Sequence, residues 1–316
     1  MDSAFSATSS PTGIGIRLTE VSASEANDPR ALLYVIDRMA PGSSMSRVVE
    51  VSNNSLSSQV VACYDSAATI VGGAFVGAEG DSSNELTSWM SICKQNLIMK
   101  RGAKAKVRVS FNVPSDASPG ERYGAIWAEI RSKNTGSGIV SINRVGIRVY
   151  LSVGKGGAPA SSFDIKSISV KRNIDASPEL DAIVSNTGGR ALDISGELKL
   201  SGGPAGLSAG PFTTNLGTTL AIGESEVVRV RLPKDVPDGP WDAELTLRSG
   251  LVSKTVSARV TFPPVGEVRP VVIQSISPWA VVALALAGAL ALSVSTLAYR
   301  ASRRRLHARR RGAKKH

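Results

Sequence analysis

The ten residues from Lys104 to Val113, KAKVRVSFNV, are the clearest indication of the fold. Hydrophobic side chains occupy every second position of this stretch, and Lys, Arg, Ser and Asn occupy the positions between them. Because successive side chains of a β-strand point to opposite faces, this alternation predicts a strand with one buried and one solvated face. It does not fit an amphipathic helix, in which apolar residues recur every three or four positions.

Three further stretches alternate in the same way, at 145–153, 194–201 and 255–262. Short apolar runs are separated by Gly, Pro, Asn and Asp, which are the residues that favour turns. Before Trp279, no stretch shows the periodicity of a helix. Many short strands with turns between them are typical of antiparallel β-sandwiches, so we expect an all-β fold.

One supersecondary pattern occurs twice, at 102–132 and at 223–249. Each copy has a Gly turn, an alternating strand that ends at Pro, an Asp two residues on and an aromatic residue beyond. Upstream of each copy, a Val-Ser-Asn sequence ends a strand at a turn, with Asn53 in one and Asn186 in the other. The repetition predicts two domains of the same kind, although convergence on a common turn is the alternative.

The flexible segment at 154–162, GKGGAPASS, divides the two copies of the pattern. We expect the two domains to be tandem immunoglobulin-like β-sandwiches. In order, we expect a disordered N-terminus at 1–12, sandwiches at 13–155 and 160–263, a linker at 264–278, a transmembrane α-helix at 279–299 and a basic tail at 300–316.

The segment from Trp279 to Tyr299 predicts a membrane span because it is uncharged. Its 21 residues would extend about 31 Å as a helix, close to the hydrocarbon thickness of a bilayer, with an aromatic residue at each interface. A buried core helix is the alternative. The basic residues that follow predict a stop-transfer signal on the cytoplasmic side, beginning with Arg300, Arg303, Arg304 and Arg305. We therefore expect a single-pass plasma-membrane protein with residues 1–278 outside.

An outside domain needs an export signal, and residues 1–13, MDSAFSATSSPTG, contain neither the basic nor the apolar region of a signal peptide. We expect the recorded start to lie downstream of the natural one, or to be a Met added to a processed chain. The inverted topology, with the tail outside, is the alternative.

The net charge of +11 comes mostly from the tail. Nine of the 37 Lys and Arg residues lie in 300–316, so residues 1–299 carry 28 basic and 26 acidic residues, a net charge of +2. A nearly neutral domain lacks the basic surface that nucleic-acid binding needs, so we expect no nucleic-acid partner.

The two histidines, His307 and His316, both lie in the tail. Residues 1–299 therefore supply no His for a Ser-His-Asp or Cys-His arrangement or for a zinc site, and no acidic cluster has the spacing of a calcium loop. We expect no cofactor, no metal ion and no enzymatic activity. A hydrolase that uses two carboxylates is the alternative that the sequence leaves open.

Cys63 and Cys93 are the only cysteines, and an even count in an exported region favours a disulfide bond. A bridge would close a loop of about 30 residues and stabilise the fold by about 3 kcal/mol. Two separate buried thiols are the alternative.

Trp89 is the best candidate among the tryptophans for an exposed binding ring, because the second copy of the repeat has no counterpart for it. Trp127 falls on a position that the repeat assigns to the core. Arg144 and Arg148 are four residues apart in one strand and therefore share the face that alternation assigns to solvent. They would meet an acidic ligand, or they are solvated surface.

Several short motifs of the first domain occur together in a fixed order: Gly13-Ile-Gly-Ile-Arg17, Asp28-Pro-Arg-Ala31, Tyr34-Val-Ile-Asp37, Ala40-Pro-Gly42, Val51-Ser-Asn53, Glu85-Leu86 with Trp89, Val113-Pro114, Pro119-Gly-Glu-Arg-Tyr123 and Asn143-Arg-Val-Gly-Ile-Arg148. Together they resemble the peptidoglycan-binding domain of the WxL-interacting proteins, in its actinobacterial form. The resemblance covers residues 13–155, and residues 160–263 are similar to the sandwich that follows in actinobacterial members. The host-binding domain of firmicute members is not matched, so host attachment is not implied.

The resemblance implies a membrane-anchored cell-surface protein that binds cell-wall peptidoglycan without catalysis, with wall-associated proteins as further partners. The binding hypothesis is a groove in which Trp89 stacks on the ligand and Arg144 and Arg148 meet the carboxylates of peptide stems. The alternative, from a different functional class, is a chaperone-like or structural assembly module that holds another exported protein by β-strand addition. A spacer for the membrane anchor is a third interpretation.

Overall fold

A computed structural model describes residues 13–92, 96–131, 140–214 and 217–273, and these residues confirm the all-β class. The first half contains strands β1 (Ile14–Leu18), β2 (Val35–Met39), β3 (Ser44–Asn53), β4 (Gln59–Val71), β5 (Ala74–Gly77), β6 (Met90–Ile92), β7 (Asn96–Met99), β8 (Lys104–Asn112), β9 (Gly120–Arg131) and β10 (Ile142–Val153), with helix α1 (Glu85–Trp89) and 3-10 turns at Ala23–Glu25 and Pro29–Leu32. The second half contains β11 (Phe163–Arg172), β12 (Pro178–Asn186), β13 (Leu192–Ser201), β14 (Ala209–Thr213), β15 (Thr218–Leu220), β16 (Ser225–Arg231), β17 (Trp241–Ser249), β18 (Val252–Val260) and β19 (Val268–Val271), with a 3-10 turn at Pro204–Gly206.

Strands β1 to β10 form two facing sheets, which we call the first sandwich. One sheet has the order β1-β3-β8-β6, and the other has the order β2-β10-β9-β4-β5 with β7 also paired to β4. The pairs are antiparallel except that β2 runs parallel to β10. Alternate side chains of both sheets meet in one core, where Phe111, Ile126 and Leu151 have no exposed surface.

Strand β8 has the two faces that its alternating sequence predicts. Val107, Val109 and Phe111 are buried, whereas the basic residues between and before them are exposed. A shift of one residue against β3 would bury the cations and expose the apolar side chains, so the pattern fixes the register of this pair.

Strands β11 to β19 form the second sandwich. One sheet has the order β16-β12-β11-β19, and the other has the order β14-β13-β17-β18 with β15 also paired to β13. Every second residue of β17 is buried, including Trp241 and Leu245, as expected for a strand with one face on a core. Within the described ranges, no strand of one sandwich pairs with a strand of the other.

The repeated sequence pattern corresponds to a repeated connection. β8 and β16 lie in one sheet of their sandwich, and the strands that follow them, β9 and β17, lie in the other sheet. The two Asn residues upstream also have equivalent roles. The Nδ2 of Asn53 donates to the carbonyl oxygen of Met99 at 2.9 Å, and that of Asn186 donates to the carbonyl oxygen of Leu220 at 3.2 Å. Each buried amide thus satisfies a carbonyl in a strand or loop of its own sandwich.

The end of the described chain differs from the linker expected at 264–278. Val268–Val271 forms β19, which pairs antiparallel with β11 at the edge of the second sandwich. Pro270 lies in this strand, and an edge strand tolerates proline because one of its sides needs no backbone donor. The alternation is too short in this stretch for the sequence to predict a strand.

Residues 1–12, the transmembrane helix expected at 279–299 and the basic tail expected at 300–316 lie outside the described residues. Within the described ranges, no helix is long and apolar enough to cross a membrane.

Candidate functional site at a free edge of β10

Strand β10 is 12 residues long but is paired on both sides over only part of its length. β9 pairs with it from Ile142 to Val153. On the other side, β2 pairs only with Val149–Val153. In the described part of the chain no strand pairs with residues 142–148 on that side, and we call this unpaired segment the β10 edge (Ile142–Arg148).

The backbone groups that the β10 edge presents follow from the pairing beside it. The N–H of Gly154 donates to the carbonyl oxygen of Met39, at the end of β2, at 3.0 Å. Successive residues of a strand direct their N–H and C=O groups to opposite sides, and β10 keeps one register with β9 throughout. The even-numbered residues Ile142, Arg144 and Gly146 therefore direct these groups to the free side, and the odd-numbered residues bond to β9.

Solvent exposure changes along β10 where the pairing with β2 begins. All residues from Val149 to Val153 are buried. In the β10 edge, Ile142 is 51% exposed, and Asn143 and Gly146 are exposed as well. Unpaired and accessible backbone groups are the template that a further strand needs.

Trp127 dominates the outward face of the sheet beside the β10 edge. The ring lies flat, because an added Cβ at Gly146 would be 2.4 Å from its Cε3 and one at Gly77 would be 2.5 Å from its Cζ2. Its Nε1 donates to Ser66 Oγ at 2.7 Å, and the guanidinium carbon of Arg144 lies 4.7 Å from the ring centre. Trp127 was expected in the core, but it is half-buried on the opposite face of β9.

Farther along the same face, Asp193 of the second sandwich accepts hydrogen bonds from both sandwiches. Its Oδ1 accepts from Arg148 Nη1 at 2.9 Å and from Tyr150 Oη at 3.0 Å. The same oxygen accepts from Thr219 Oγ1 at 2.8 Å, and Oδ2 accepts from Arg30 Nε at 2.9 Å. Burial of the Arg30 guanidinium opposes its positive charge, but the nearby carboxylate of Asp193 holds the pKa of Arg30 above the ordinary value. Two cations therefore offset the cost of burying this carboxylate.

Aromatic rings enclose the side chain of Arg148. Its guanidinium carbon lies 5.1 Å from the ring centres of both Tyr34 and Phe75. Tyr150 packs on the same two rings, with centre-to-centre distances of 5.9 Å and 5.2 Å. Burial raises the pKa of Tyr150, and the nearby charge of Asp193 adds to this effect, so the phenol stays a neutral donor.

A second polar contact joins the sandwiches at Arg190. Its Nη1 donates to Glu25 Oε2 at 2.9 Å, and its Nη2 lies 3.4 Å from Asp28 Oδ2. The N–H of Ala191 donates to Glu121 Oε2 at 2.7 Å. Burial raises the pKa of Glu121, and this hydrogen bond partly opposes the rise. We call the contacts around Arg190 and those around Asp193 together the junction. Its paired charges couple the two sandwiches.

The three residues predicted to bind a ligand do not form one groove. Trp89 is 7% exposed and packs in the core, with the guanidinium carbon of Arg122 5.6 Å from its ring centre. Arg144 and Arg148 share one face of β10, but Arg144 covers Trp127 and Arg148 binds the second sandwich. No contact among the described residues joins Trp89 to either arginine.

Of the two cysteines and the predicted membrane-anchor residues, Cys63 lies within the described residues. Cys63 is buried, and burial raises the pKa of its thiol to about 11. Cys93 lies outside the described residues, so the disulfide bond stays a prediction. Trp279, Tyr299 and the stop-transfer arginines lie outside them as well. In the described ranges, no group of three His, Cys, Asp or Glu residues could hold a metal ion.

The sequence did not single out Asp193 or Gly146. Asp193 follows the apolar Ala-Leu pair as an ordinary polar residue, and its partners lie far away in the chain. Gly146 carried a weak signal, because a glycine inside a strand often marks the close approach of another group. That group is Trp127.

No protein-family model and no curated protein matches the chain. Among the solved structures that it resembles is the class 5 fimbriae chaperone CfaA, with 12% identity and a TM-score of 0.35 over 79% of this chain and 100% of that chain. Another is the CsuC–CsuE chaperone–tip adhesion subunit pre-assembly complex of Acinetobacter baumannii, with 13% identity and a TM-score of 0.36 over 71% and 94%. A third is the E. coli chaperone DraB, with 11% identity and a TM-score of 0.38 over 72% and 95%.

The predictions of peptidoglycan binding and of a plasma-membrane location are wrong. Within the described residues, no helix is long and apolar enough to cross a membrane. Trp89, which was to stack on the glycan, is buried, and Arg148, which was to meet a ligand carboxylate, already pairs with Asp193.

Proposed function

We propose that this protein is a chaperone-like, non-catalytic assembly module that holds another polypeptide by β-strand addition at the β10 edge. The observation that carries the proposal is the half-paired β10, in which β9 binds the whole strand and β2 binds only its last part. In this proposal both sandwiches are immunoglobulin-like. Membership of the first in the WxL-interacting family stays a prediction.

An added strand would satisfy backbone groups that have no partner strand in the described structure. The N–H and C=O groups of Ile142, Arg144 and Gly146 point to the free side, as the bond from Gly154 to Met39 indicates. Each such hydrogen bond contributes about 1 kcal/mol net. The main chain thus gives affinity for any extended segment, and the side chains along the edge select among segments.

Three other edge strands of the described structure, β14, β18 and β19, carry features that hinder the pairing of a further strand. β14 contains Pro211 and shifts register against β13, and β19 contains Pro270. β18 carries Lys254 and Arg259. Proline and charged side chains of this kind protect natural sheet edges. The β10 edge has a glycine near its centre instead, and both of its arginines lie against aromatic rings, Arg144 over Trp127 and Arg148 over Tyr34.

A pair of substitutions at one position tests the proposal. Arg144→Pro removes the N–H that points to the free side, whereas Arg144→Ala removes the same side chain and keeps the N–H. The probe is an acetylated and amidated heptapeptide of alternating threonine and valine, titrated into the full-length protein by calorimetry. We expect the proline variant to bind it about tenfold more weakly than the alanine variant.

Circular dichroism of both variants is the control, because β10 must stay folded for the comparison to apply. Equal affinity of the two folded variants, or no binding of the peptide to the wild-type protein, contradicts strand addition at the β10 edge.

A further inference from the structure

Because Gly146 has no side chain, the ring of Trp127 is accessible from the β10 edge. The ring carbons Cε3 and Cζ3 lie 2.4 Å and 2.6 Å from the place that a Cβ of residue 146 would occupy. The backbone of Gly146 is exposed and directs its N–H to the free side. An outward-facing side chain opposite Gly146 in an added strand would therefore meet Trp127 with no other side chain between them.

Two arginines flank this position on the same face. Arg144 and Arg148 are each two residues from Gly146, so their side chains point to the same face of the sheet as Gly146 does. The guanidinium carbon of Arg144 lies 4.7 Å from the ring centre of Trp127, and that of Arg148 lies 5.1 Å from the ring centre of Tyr34. Contact between guanidinium groups and aromatic rings is thus the chemistry of this part of the face.

We propose that the strand added at the β10 edge carries an aromatic side chain opposite Gly146, packed against Trp127 between Arg144 and Arg148. This inference rests on the proposed function and names the kind of strand that the edge selects. Ring-to-ring packing and cation–π contact both favour an aromatic side chain over an aliphatic one of similar size. A cross-strand ring beside a glycine also supplies the packing that the glycine lacks.

The neighbours of that aromatic residue in the added strand would face the core of the first sandwich. Beside the edge, the inward side chains are Val145, which is half-buried, and Ile147, which is 3% exposed. Apolar side chains opposite them would extend the core, whereas charged ones would be buried without a partner. The segment that fits best is therefore aliphatic–aromatic–aliphatic and contains no proline.

Three heptapeptides test the preference. All alternate threonine and valine, and their fifth residue is tyrosine, leucine or alanine. With full-length protein in calorimetry, we expect the tyrosine peptide to bind about tenfold more tightly than the alanine peptide. The leucine peptide, which controls for apolar burial alone, should lie between them.

Two substitutions locate the preference on the molecule. Gly146→Val places a branched side chain between Trp127 and the added strand, and Arg144→Ala removes one cation and leaves the backbone unchanged. In both, we expect the advantage of tyrosine over alanine to fall to about twofold. Because a Cβ at residue 146 would displace the ring, Trp127→Leu replaces Gly146→Val if that variant does not fold.

The outcomes separate this inference from the proposed function. If the three peptides bind equally and Arg144→Pro weakens them all, strand addition stands and the aromatic preference is overturned. If the tyrosine advantage persists in the Gly146→Val and Trp127→Leu proteins, the aromatic residue binds elsewhere and the inference fails. If Arg144→Pro and Arg144→Ala bind every peptide equally, the proposed function itself fails.

Discussion

Asp193 accepts hydrogen bonds from both sandwiches, although nothing in the sequence around it indicates this role. Its two oxygens accept from Arg30, Arg148, Tyr150 and Thr219 at 2.8–3.0 Å. The side chain of Arg30 is only 7% exposed, so its charge depends on this carboxylate. A buried charge that loses its partner keeps the full cost of its desolvation.

We predict that Asp193→Ala lowers the free energy of unfolding by about 3 kcal/mol. The substitution leaves the buried charge of Arg30 without this carboxylate partner and the hydroxyl of Tyr150 without this acceptor. Urea unfolding followed by circular dichroism measures the change. Asp164→Ala is the matched control, since Asp164 pairs with Lys254 at 2.5 Å but its side chain is 44% exposed. We expect that control to cost less than about 1 kcal/mol. Equal losses in the two variants would show that Asp193 holds nothing essential.

Glu121 gives the stability of the junction a dependence on pH. Burial raises its pKa in the folded protein, so folding favours the protonated form. Its contribution to stability is fully present below the ordinary pKa of about 4.5 and is lost as the pH rises through the raised value.

We therefore expect Glu121→Gln, which keeps an acceptor for the N–H of Ala191, to be more stable than the wild type at pH 8. The difference should shrink as the pH falls toward 4.5, because the wild-type carboxyl then binds its proton. Urea unfolding of both proteins across this range measures the effect. A difference that does not vary with pH would exclude Glu121 as its source.

At the scale of elements, Asn53 and Asn186 close the same turn in both sandwiches. The Oδ1 of Asn53 accepts from the N–H of Ser55, and that of Asn186 accepts from the N–H of Gly188. Their Nδ2 groups hold the carbonyls of another segment in each sandwich. The sequence predicted the turn from the Val-Ser-Asn pattern, but it did not indicate that these amides are buried.

We predict that Asn53→Ala and Asn186→Ala each lower the free energy of unfolding by about 2 kcal/mol, because each removes an amide that donates to several carbonyl groups of its sandwich. Asn54→Ala is the control, since the Nδ2 of Asn54 makes one 3.3 Å hydrogen bond to Ser52 Oγ and should matter little. Chemical denaturation compares the three. A loss at Asn54 as large as that at Asn53 would contradict the assigned role.

The period-two alternation predicted strands such as β8 and β10, because one buried face requires that pattern wherever the strand lies. It did not predict which part of β10 is unpaired. That depends on β2, which lies more than 100 residues earlier in the chain and pairs with β10 only from Val149 to Val153. Aligning the repeat placed Trp127 with Leu245 in the core, yet its neighbours Ile126 and Ala128 are the buried ones. A one-residue error in register exchanged the faces.

At the scale of the whole described region, the junction couples the two sandwiches. An aromatic and apolar cluster lies between the charged contacts, with Tyr150 and Ile36 from the first sandwich and Ala191 from the second. No strand pairing joins the sandwiches in the described ranges. These side chains carry the coupling together with a backbone hydrogen bond from the N–H of Thr219 to the carbonyl oxygen of Gly73, at 2.9 Å. A fixed junction would keep Arg148, the last residue of the β10 edge, beside the ring of Tyr34.

We expect the two sandwiches to unfold in one calorimetric transition in the wild type and in two transitions in a double variant, Asp193→Ala with Arg190→Ala. The double variant removes both charged contacts and leaves each core intact, so the sandwiches lose their mutual stabilisation. Differential scanning calorimetry measures this. Two separate transitions in the wild type would show that the junction does not couple them.

Amide hydrogen exchange of β10, measured residue by residue in the full-length protein with and without the tyrosine heptapeptide, tests strand addition most directly. The N–H groups of Arg144 and Gly146 should exchange rapidly in the free protein and at least about tenfold more slowly with peptide bound. Those of Val145 and Ile147 already bond to β9 and should be protected in both states. Unchanged exchange at Arg144 and Gly146 under saturating peptide would contradict a strand added at the β10 edge.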